Sequence, residues 1–239
     1  MELIGDTIAF LTDPTSWEGP NGIGVRLWEQ VVLSAASLGA ALAIALPAGL
    51  AIGHTGRGAR AVVSLANIGR AVPTLGLIGI FFPIVLALRT GDSGFWTSLL
   101  ALVLLAIPPI VTNTYVGLRE VDRDLIEAGR GMGMRERELL FGVEVPLALP
   151  VILAGVRTSA VQTVATSTLA AVVSGGTLGI IIIQGINGGD RARLVGAAVL
   201  VAVLSILTEL LFAYVQRRAG RRRAPSFVHA GQVPRPAGT

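Results

Sequence analysis

Five apolar segments, each long enough to cross a lipid bilayer, constrain this chain more than any other feature. They cover residues 31–52, 61–88, 95–118, 147–183 and 194–215. About 20 consecutive apolar residues span a bilayer as an α-helix, and 52% of the 239 residues are hydrophobic whereas 14% are charged. A helix satisfies its own backbone hydrogen bonds in lipid. The sequence therefore predicts an all-α integral membrane protein with about five transmembrane helices.

The fourth apolar segment, residues 147–183, is too long for a single span. We predict one helix that ends near Val173, followed by a break at Gly175 and Gly176. A short re-entrant or interfacial piece then continues to Ile183.

Three ionisable residues, Arg70, Arg157 and Glu209, fall inside apolar segments, where a charge is costly and marks a functional candidate. Arg70 and Pro73 also interrupt segment 61–88, which predicts a broken helix whose freed backbone lines protein or a cavity. Either arginine could pair with Glu209. Alternatively, each arginine lies near enough to a membrane face for its side chain to reach water.

Arginines gather on one set of connections between the apolar segments. Arg57 and Arg60 follow the first segment, the connection at 119–137 holds several more, and a cluster follows the last segment. The other connections hold Arg26, Arg89, Arg191 and Arg193. Since cytoplasmic loops are enriched in basic residues, we predict a multi-pass cell-membrane protein with an extracytoplasmic N-terminus and a cytoplasmic C-terminus.

These predictions divide the chain into three parts. Residues 1–24 form an acidic, polar, extracytoplasmic segment without the basic start of a signal peptide. Residues 25–216 form the transmembrane domain, with a cytoplasmic loop at 119–146. Residues 217–239 form an Arg-rich cytoplasmic tail that we expect to be disordered. The tail could respond to anionic lipid, or its arginines could simply set the topology.

Composition argues against several functional classes. The chain has no cysteine, which excludes disulfides, thiolate metal sites and cysteine nucleophiles, and it has only two histidines. We therefore predict no metal site. No Ser/His/Asp or paired-carboxylate arrangement suggests catalysis, so we predict no catalytic residue. The formal net charge of +4 is explained by membrane orientation, so we predict no nucleic-acid partner.

The most informative connection contains residues 127–146, which read EAGRGMGMRERELLFGVEVP. A charged, glycine-rich segment cannot cross lipid, so it lies on a membrane face, where it could meet a soluble partner. Glu127 and Arg130 form an i,i+3 pair in a predicted helix, and Gly131 and Gly133 allow a turn into a second helical piece at 135–141. From pattern alone, a solvated loop without a partner fits equally well.

This segment resembles the EAA loop of the permease subunits of ATP-binding-cassette (ABC) importers. Glu127-Ala128-Gly129, Gly133 and Val143-x-Val145-Pro146 have the spacing of that loop. Gly129 stands where the family usually has a second Ala, and the valines stand where it has Ile and Leu. The resemblance implies the type I ABC importer permease (MetI-like) fold and a loop that docks into a cleft of an ATPase subunit. The residues implied for this coupling role are Asp124, Glu127, Ala128, Gly129, Gly133, Met134, Arg135 and Pro146.

Other stretches resemble the permeases for glycine betaine, carnitine, choline and related osmoprotectants. These stretches are DLIEA at 124–128, GMGM at 131–134, EVPLALPVILAGVR at 144–157, ATSTLA at 165–170 and AVPTLGL at 71–77. The resemblance implies cytoplasmic ATPase subunits that bind ATP and Mg²⁺, an extracytoplasmic solute-binding protein, and a second permease copy or a paralogous permease, all assembled in membrane lipid. No cofactor is expected in this chain, since it has no GxxxxGK[ST] loop for ATP.

A polar stripe in the fourth segment is a candidate translocation path. Its residues recur at i, i+3, i+4 and i+7 and so share one helical face. The candidates for the path are Pro73, Thr74, Asn113, Ser159, Gln162, Thr163 and Thr166. Alternatively, the hydroxyl groups of the stripe bond across a helix pair. A quaternary ammonium solute favours an aromatic cage, and the scarcity of aromatic residues in the spans suggests that a separate binding protein supplies it.

Three other functions fit less of the sequence. An ABC permease for an amino acid or a sulfonate would share the loop but not the solute. A stand-alone secondary transporter would need an internal duplication or an ion relay, and a membrane-embedded enzyme would need a catalytic set. The sequence shows no internal duplication, no ion relay and no catalytic set. We therefore predict a transport subunit, not an enzyme.

Overall fold

The computed structural model describes residues 2–58, 60, 62, 64, 73–89 and 91–221. Within them every regular element is helical, which confirms the all-α prediction. The elements are α1 (Glu2–Thr12), α2 (Pro14–Trp17), α3 (Ile23–Thr55), α4 (Thr74–Ala87), α5 (Ser93–Arg119), α6 (Arg123–Gly131), α7 (Glu136–Leu139), a π-helical turn (Leu140–Glu144), α8 (Val145–Thr166), a 3-10 turn (Ser167–Ala170), α9 (Ala171–Ser174), α10 (Thr177–Gly188) and α11 (Arg191–Arg221).

Four helical segments of the described chain are long and apolar enough to cross a membrane. They are Ile23–Thr55, Ser93–Arg119, Glu136–Ser174 and Arg191–Ala219. The predicted second span contributes the shorter apolar helix α4. Its residues 65–72, with the Arg70 candidate, and the tail beyond residue 221 lie outside the described residues.

Helix α3 is longer than the predicted span, which started at residue 31. It begins at Ile23 because the turns before the apolar segment still bury one face, including Ile23 and Gln30. It ends at Gly56, where a φ of +69° reverses the chain. A left-handed angle at this position favours glycine, which has no Cβ to clash.

A seam of small residues joins α3 to α5. Ser37, Ala41, Ala45, Gly49 and Gly53 recur every four residues on the buried face of α3. A Cβ on Gly49 would lie 2.7 Å from the Cβ of Thr114 on α5, so the two backbones approach as closely as glycine permits. Helices in lipid commonly pack through such small residues.

Helix α8 packs on the opposite side of α5 through the same device. A Cβ on Gly155 would lie 2.7 Å from the carbonyl oxygen of Pro109 and 2.6 Å from the Cβ of Asn113. Helix α5 thus lies between α3 and α8, with most of its apolar span buried.

The predicted break at Gly175–Gly176 is confirmed. Helix α8 ends at Thr166, and α10 begins at Thr177. Gly175 adopts a φ of +63°, which ends α9. The N-terminus of α10 is capped from α3: Glu29 Oε2 accepts the N–H of Thr177 at 2.9 Å, and Gln30 Oε1 accepts the N–H of Leu178 at 3.0 Å. The break is therefore built into the packing.

The N-terminal segment contains a helix that the sequence did not reveal. Helix α1 packs against α11, where a Cβ on Gly196 would lie 2.7 Å from Cδ1 of Phe10. The guanidinium of Arg193 lies 5.8 Å from the centroid of the same ring. This end of the molecule also holds the N-termini of α3 and α10.

Candidate functional site

The loop between α5 and α8 folds as two helices separated by a glycine turn. Asp122 caps α6, since its Oδ1 accepts the N–H of Asp124 at 3.0 Å. An acidic cap suits the positive end of the helix dipole. The chain then reverses and forms α7, which runs through the π-helical turn into α8.

The turn after α6 is a Schellman motif centred on Gly133. The N–H of Gly133 donates to the carbonyl of Arg130 at 2.9 Å, and the N–H of Met134 donates to the carbonyl of Gly129 at 3.1 Å. Gly133 has a φ of +85°, as the motif requires. Gly131, which could also have taken a left-handed angle, instead belongs to the last turn of α6. One left-handed residue is enough to end the helix.

Gly129 lets α6 pack directly on α7. It is buried, and a Cβ there would lie 2.8 Å from Cδ1 of Leu139, which has no exposed surface. The Sδ atom of Met134 would lie 3.3 Å from the same position. The backbone N–H of Arg135 donates to Oε2 of Glu138 at 2.9 Å and starts α7.

The predicted ion pair of Arg130 with Glu127 is wrong. Arg130 instead makes a bidentate pair with Glu136, at 2.9 Å from Nε to Oε1 and 3.0 Å from Nη2 to Oε2. The turn at Gly133 brings α7 back against α6, and the fork geometry of a bidentate pair is better than that of an i,i+3 contact. Because Arg130 donates these hydrogen bonds to the carboxylate of Glu136, the pKa of Arg130 is raised above its ordinary value.

A histidine and two glutamates connect this loop to the end of α3. His54 Nδ1 lies 2.7 Å from Oε2 of Glu144, and His54 Nε2 lies 3.3 Å from Oε2 of Glu136. Glu144 is buried within the π-helical turn. Such turns often occur at functional sites. Sequence reasoning missed this cluster because 90 residues separate His54 from Glu144; an isolated Glu next to the Val-Pro pair was its one local signal.

Most of the predicted coupling residues lie on the exposed surface of the loop. Asp124, Glu127, Ala128, Gly133 and Arg135 are exposed. Gly129 is buried, whereas Met134 and Pro146 are partly buried. Three large apolar side chains of the same loop are also exposed, Leu125, Met132 and Phe141. An exposed surface that combines carboxylates with apolar side chains suits docking into a groove of a partner protein.

The polar stripe of α8 is fully buried at two of its positions, Ser159 and Thr163. Ser159 is fully buried, and its Oγ donates to the carbonyl of Ala106 at 2.8 Å, which favours the helix-pair alternative for this residue. Thr163 is also fully buried, and its hydroxyl has no hydrogen-bond partner among the described residues. Gln162 and Thr166 are partly buried.

The other path candidates are not brought together with the stripe by hydrogen bonds of the described residues. Asn113 on α5 donates to the carbonyl of Pro109 in its own helix at 2.8 Å. Pro73 is exposed at the start of α4, and Thr74 next to it is partly buried. A role of these residues in a translocation path stays a prediction.

Arg157 and Glu209 form an ion pair between α8 and α11. Arg157 also donates to Oε1 of Gln216 at 3.3 Å, and Nε2 of Gln216 donates to the carbonyl of Pro150 at 3.0 Å. Of the alternatives for the intramembrane charges, the structure shows the Arg157–Glu209 pair. Among the described residues, no group of three or more His, Asp or Glu side chains is arranged to hold a metal ion.

Comparison of the sequence with known protein families identifies the family of this chain. Residues 42–221 match the family described as the inner membrane component of binding-protein-dependent transport systems. The chain belongs to this family. The match includes the loop at 119–146 and most of the membrane-spanning helices, which agrees with the resemblance that the loop carries.

Curated relatives refine the comparison. The chain is 33% identical to the glycine betaine/carnitine/choline transport system permease protein OpuCB of Bacillus subtilis over 190 residues, which is 80% of this chain and 85% of the relative. It is 31% identical to the carnitine transport permease protein OpuCB of Listeria monocytogenes over 201 residues, or 84% and 89% of the two chains.

A solved structure has the same fold as this permease. The inward-facing MetNI methionine ABC transporter superposes with a TM-score of 0.71 at 26% identity, covering 80% of this chain and 93% of the other. This likeness confirms the predicted MetI-like fold. It also makes the chain a multi-pass membrane component of an ABC importer.

Proposed function

We propose that this permease imports osmoprotectants of the glycine betaine, choline and carnitine type, driven by ATP hydrolysis in a separate subunit. The observation that carries the proposal is the loop at 119–146, whose Gly133 turn presents exposed Glu127, Ala128 and Arg135 beside exposed apolar side chains. Alternating access follows if closure of the ATPase subunits moves this loop and the helices attached to it.

The distribution of arginines supports a cytoplasmic position for the loop. His54 at the end of α3 contacts the loop, and Gln216 near the end of α11 contacts Pro150 at the start of α8. The end of α3, the loop and the end of α11 therefore lie on the same side of the helix bundle, and each carries arginines. The positive-inside rule assigns that end to the cytoplasm and the N-terminus to the outside.

The solute class is supported by the relatives, whose names specify glycine betaine, carnitine and choline. A relative in Helicobacter pylori, 33% identical over 162 residues, is named as a permease and an ergothioneine-binding protein in one chain, although only 28% of it is matched. This fusion supports an extracytoplasmic binding protein as a partner. A second permease copy or a paralogue completes the membrane part.

An amino-acid importer is the second candidate, because the superposed MetNI transporter is named for methionine. An uptake assay separates the two. Cells without endogenous osmoprotectant uptake would express the permease with its candidate ATPase and binding protein, and would receive radiolabelled glycine betaine, choline, carnitine or methionine. Accumulation of a quaternary ammonium solute but not methionine supports the proposal; the reverse pattern contradicts it.

A further inference from the structure

All three tryptophans of the chain lie at the end of the helix bundle away from the loop at 119–146. Trp17 belongs to α2, Trp28 to the second turn of α3 and Trp96 to the start of α5. Glu29 and Phe95, the sequence neighbours of two of them, line one cavity, so Trp28 and Trp96 lie at a similar level. All three tryptophans are exposed.

These tryptophans mark the level at which the bundle leaves the apolar part of the membrane. Tryptophan is enriched where lipid meets water, because its ring is apolar and its N–H group is polar. Helix α3 has 33 residues and is therefore about 50 Å long, whereas the hydrocarbon layer is about 30 Å thick. The exposed Trp28 indicates that the first turns of α3 extend into the headgroup layer.

Helix α1 lies at the level of these tryptophans. One hydrophobic cluster at this end consists of the buried residues Ile23, Leu178, Ile181 and Ala197. Phe10 of α1 and Leu27 of α3 both pack against this cluster, and Leu27 directly precedes Trp28. Trp17 Nε1 also donates to the carbonyl of Leu11 at 2.8 Å, which holds α2 against the end of α1. Helix α1 is therefore at the membrane surface, not in the water beyond it.

The apolar surface of α1 is wider than the part that α11 covers. Thr7 is buried, and Phe10 is partly buried against α11. Ile4 and Ile8 are 68% and 56% exposed. Since they are four residues apart, they share one side of the helix. They form an isoleucine stripe that the rest of the described chain leaves mostly uncovered.

The charged side of α1 lies opposite the isoleucine stripe. Glu2 and Asp6 are exposed, and each precedes one of the isoleucines by two residues, which is slightly more than half a helical turn. An amphipathic helix with this division lies in the membrane interface with its apolar side about 5–10 Å deep. Residues 2–22 contain no Lys or Arg, so burial of apolar surface, and not attraction to anionic headgroups, holds such a helix in place.

We infer that α1 is an interfacial helix whose isoleucine stripe lies among the phospholipids of the leaflet that the tryptophans mark. A phospholipid surface is favoured over a soluble protein as the partner, because the stripe is purely aliphatic and lies at the level of the tryptophans. Through Phe10, which packs on α11, the helix holds the start of the last span at a fixed depth. This position of α1 depends on neither the solute nor the ATPase.

Spin labels on the two sides of α1 test this position. The chain has no cysteine, so single Ile8→Cys and Asp6→Cys variants each carry one label. Both residues are exposed, so neither label replaces a buried side chain. Each variant would be placed in phosphatidylcholine nanodiscs without other proteins. Electron paramagnetic resonance would then record collisions of the label with oxygen, which enters lipid, and with a nickel chelate, which stays in water.

Two further labels serve as references for lipid and for water. Ile206→Cys lies in the middle of α11 and Thr55→Cys at the end of α3, and both positions are exposed. We expect the Ile8 label to collide mostly with oxygen, as the Ile206 label does. The Asp6 label should collide mostly with the nickel chelate, as the Thr55 label does.

Two outcomes would overturn the inference. Equal nickel collisions at Ile8 and Asp6 would show that the isoleucine stripe faces water, where a soluble partner could reach it. An Ile8 label that neither reagent reaches would show that protein, such as a second permease copy, covers the stripe.

The level of the tryptophans can be measured without any substitution. The permease would be reconstituted in phosphatidylcholine vesicles whose acyl chains carry bromine either near the headgroup or near the methyl end. Since all three tryptophans lie at one end of the bundle, the quenching of their fluorescence reports their depth. We expect stronger quenching by the bromine near the headgroup. Stronger quenching by the deep bromine would contradict the interfacial level of α1.

Discussion

Arg157 on α8 and Glu209 on α11 form an ion pair within two apolar helices, and their side chains are 36% and 37% exposed. Both charges would be costly in lipid without a partner. Gln216 provides a further acceptor for Arg157, so the arginine has a second partner, whereas Glu209 has no other partner among the described residues. The pair therefore fastens the last span to α8, the helix that follows the loop at 119–146.

Removing one charge should cost more than removing both. We expect Arg157→Leu to lower the free energy of unfolding by about 1–3 kcal/mol, because it leaves Glu209 unpaired. Glu209→Leu should cost less, since Arg157 keeps Gln216. The double Leu variant should recover most of the loss, as a double-mutant cycle would record. Thermal unfolding in detergent measures all three, and a double variant no better than Arg157→Leu would contradict the pairing.

The left-handed turn at Gly133 predicts a position-specific effect within the loop. A β-branched side chain in this conformation is strained, so Gly133→Val should destabilise the loop by about 1–2 kcal/mol. Gly133→Asn should be better tolerated, because Asn adopts left-handed angles more readily. Gly131→Ala is the matched control for stability, since Gly131 is helical with open space around it, and Ala favours a helix. Hydrogen exchange of the α6 amides would compare the variants; equal protection in Val and Asn variants would refute the turn.

Gln30 predicts a link between α3 and the break before α10. Its amide accepts the N–H of Leu178 and donates to the carbonyl of Val164, and it is fully buried. Gln30→Ala leaves the N–H of Leu178 without this acceptor, at a cost of about 1–3 kcal/mol, whereas the carbonyl of Val164 keeps the hydroxyl of Ser167 as a donor. The Leu178 amide should then exchange faster with deuterium. Gln184→Ala, at an exposed position of α10, should leave that rate unchanged; a rate unaffected by Gln30→Ala would show that the cap is unimportant.

The close approach of α5 and α8 predicts that even one methyl group is too large at Gly155. The added Cβ would meet the backbone oxygen of Pro109 at 2.7 Å, and a backbone atom cannot rotate away. Gly155→Ala should therefore destabilise the bundle by about 1–3 kcal/mol. Gly39→Ala on α3 has nothing within 4 Å of its Cβ and should be neutral or slightly stabilising. The melting temperatures of the two variants would be compared in the same detergent. Equal melting temperatures would contradict this packing.

The helical architecture was predictable from the sequence because membrane burial leaves few options for an apolar segment. The break at Gly175–Gly176 was also predictable, since two adjacent glycines interrupt a segment too long for one span. The start of α3 was not, because its first two turns carry Arg26, Glu29 and Gln30 among apolar residues and read as polar. The side chains of Glu29 and Gln30 bond to the first residues of α10, which sequence spacing does not reveal.

The candidate site was predictable only where it depends on residues close together in the sequence. Local spacing predicted the helix, the glycine turn and the second helix of the loop. It gave the wrong partner for Arg130, because Glu136 becomes its neighbour only after the turn at Gly133 has formed. The contact of His54 with Glu144 joins elements that are distant in the chain. The roles of the exposed loop residues stay predictions.

Co-purification with the candidate ATPase subunit tests the coupling loop most directly. Wild-type permease, Gly133→Val and the control Gly39→Ala would be expressed at equal membrane levels with the tagged ATPase, and the bound permease and its ATP hydrolysis would be measured. We expect wild type and Gly39→Ala to bind and Gly133→Val to lose most of the bound ATPase and its activity. A wild-type permease that binds no ATPase, or a Gly133→Val variant that binds as well as wild type, would contradict the account.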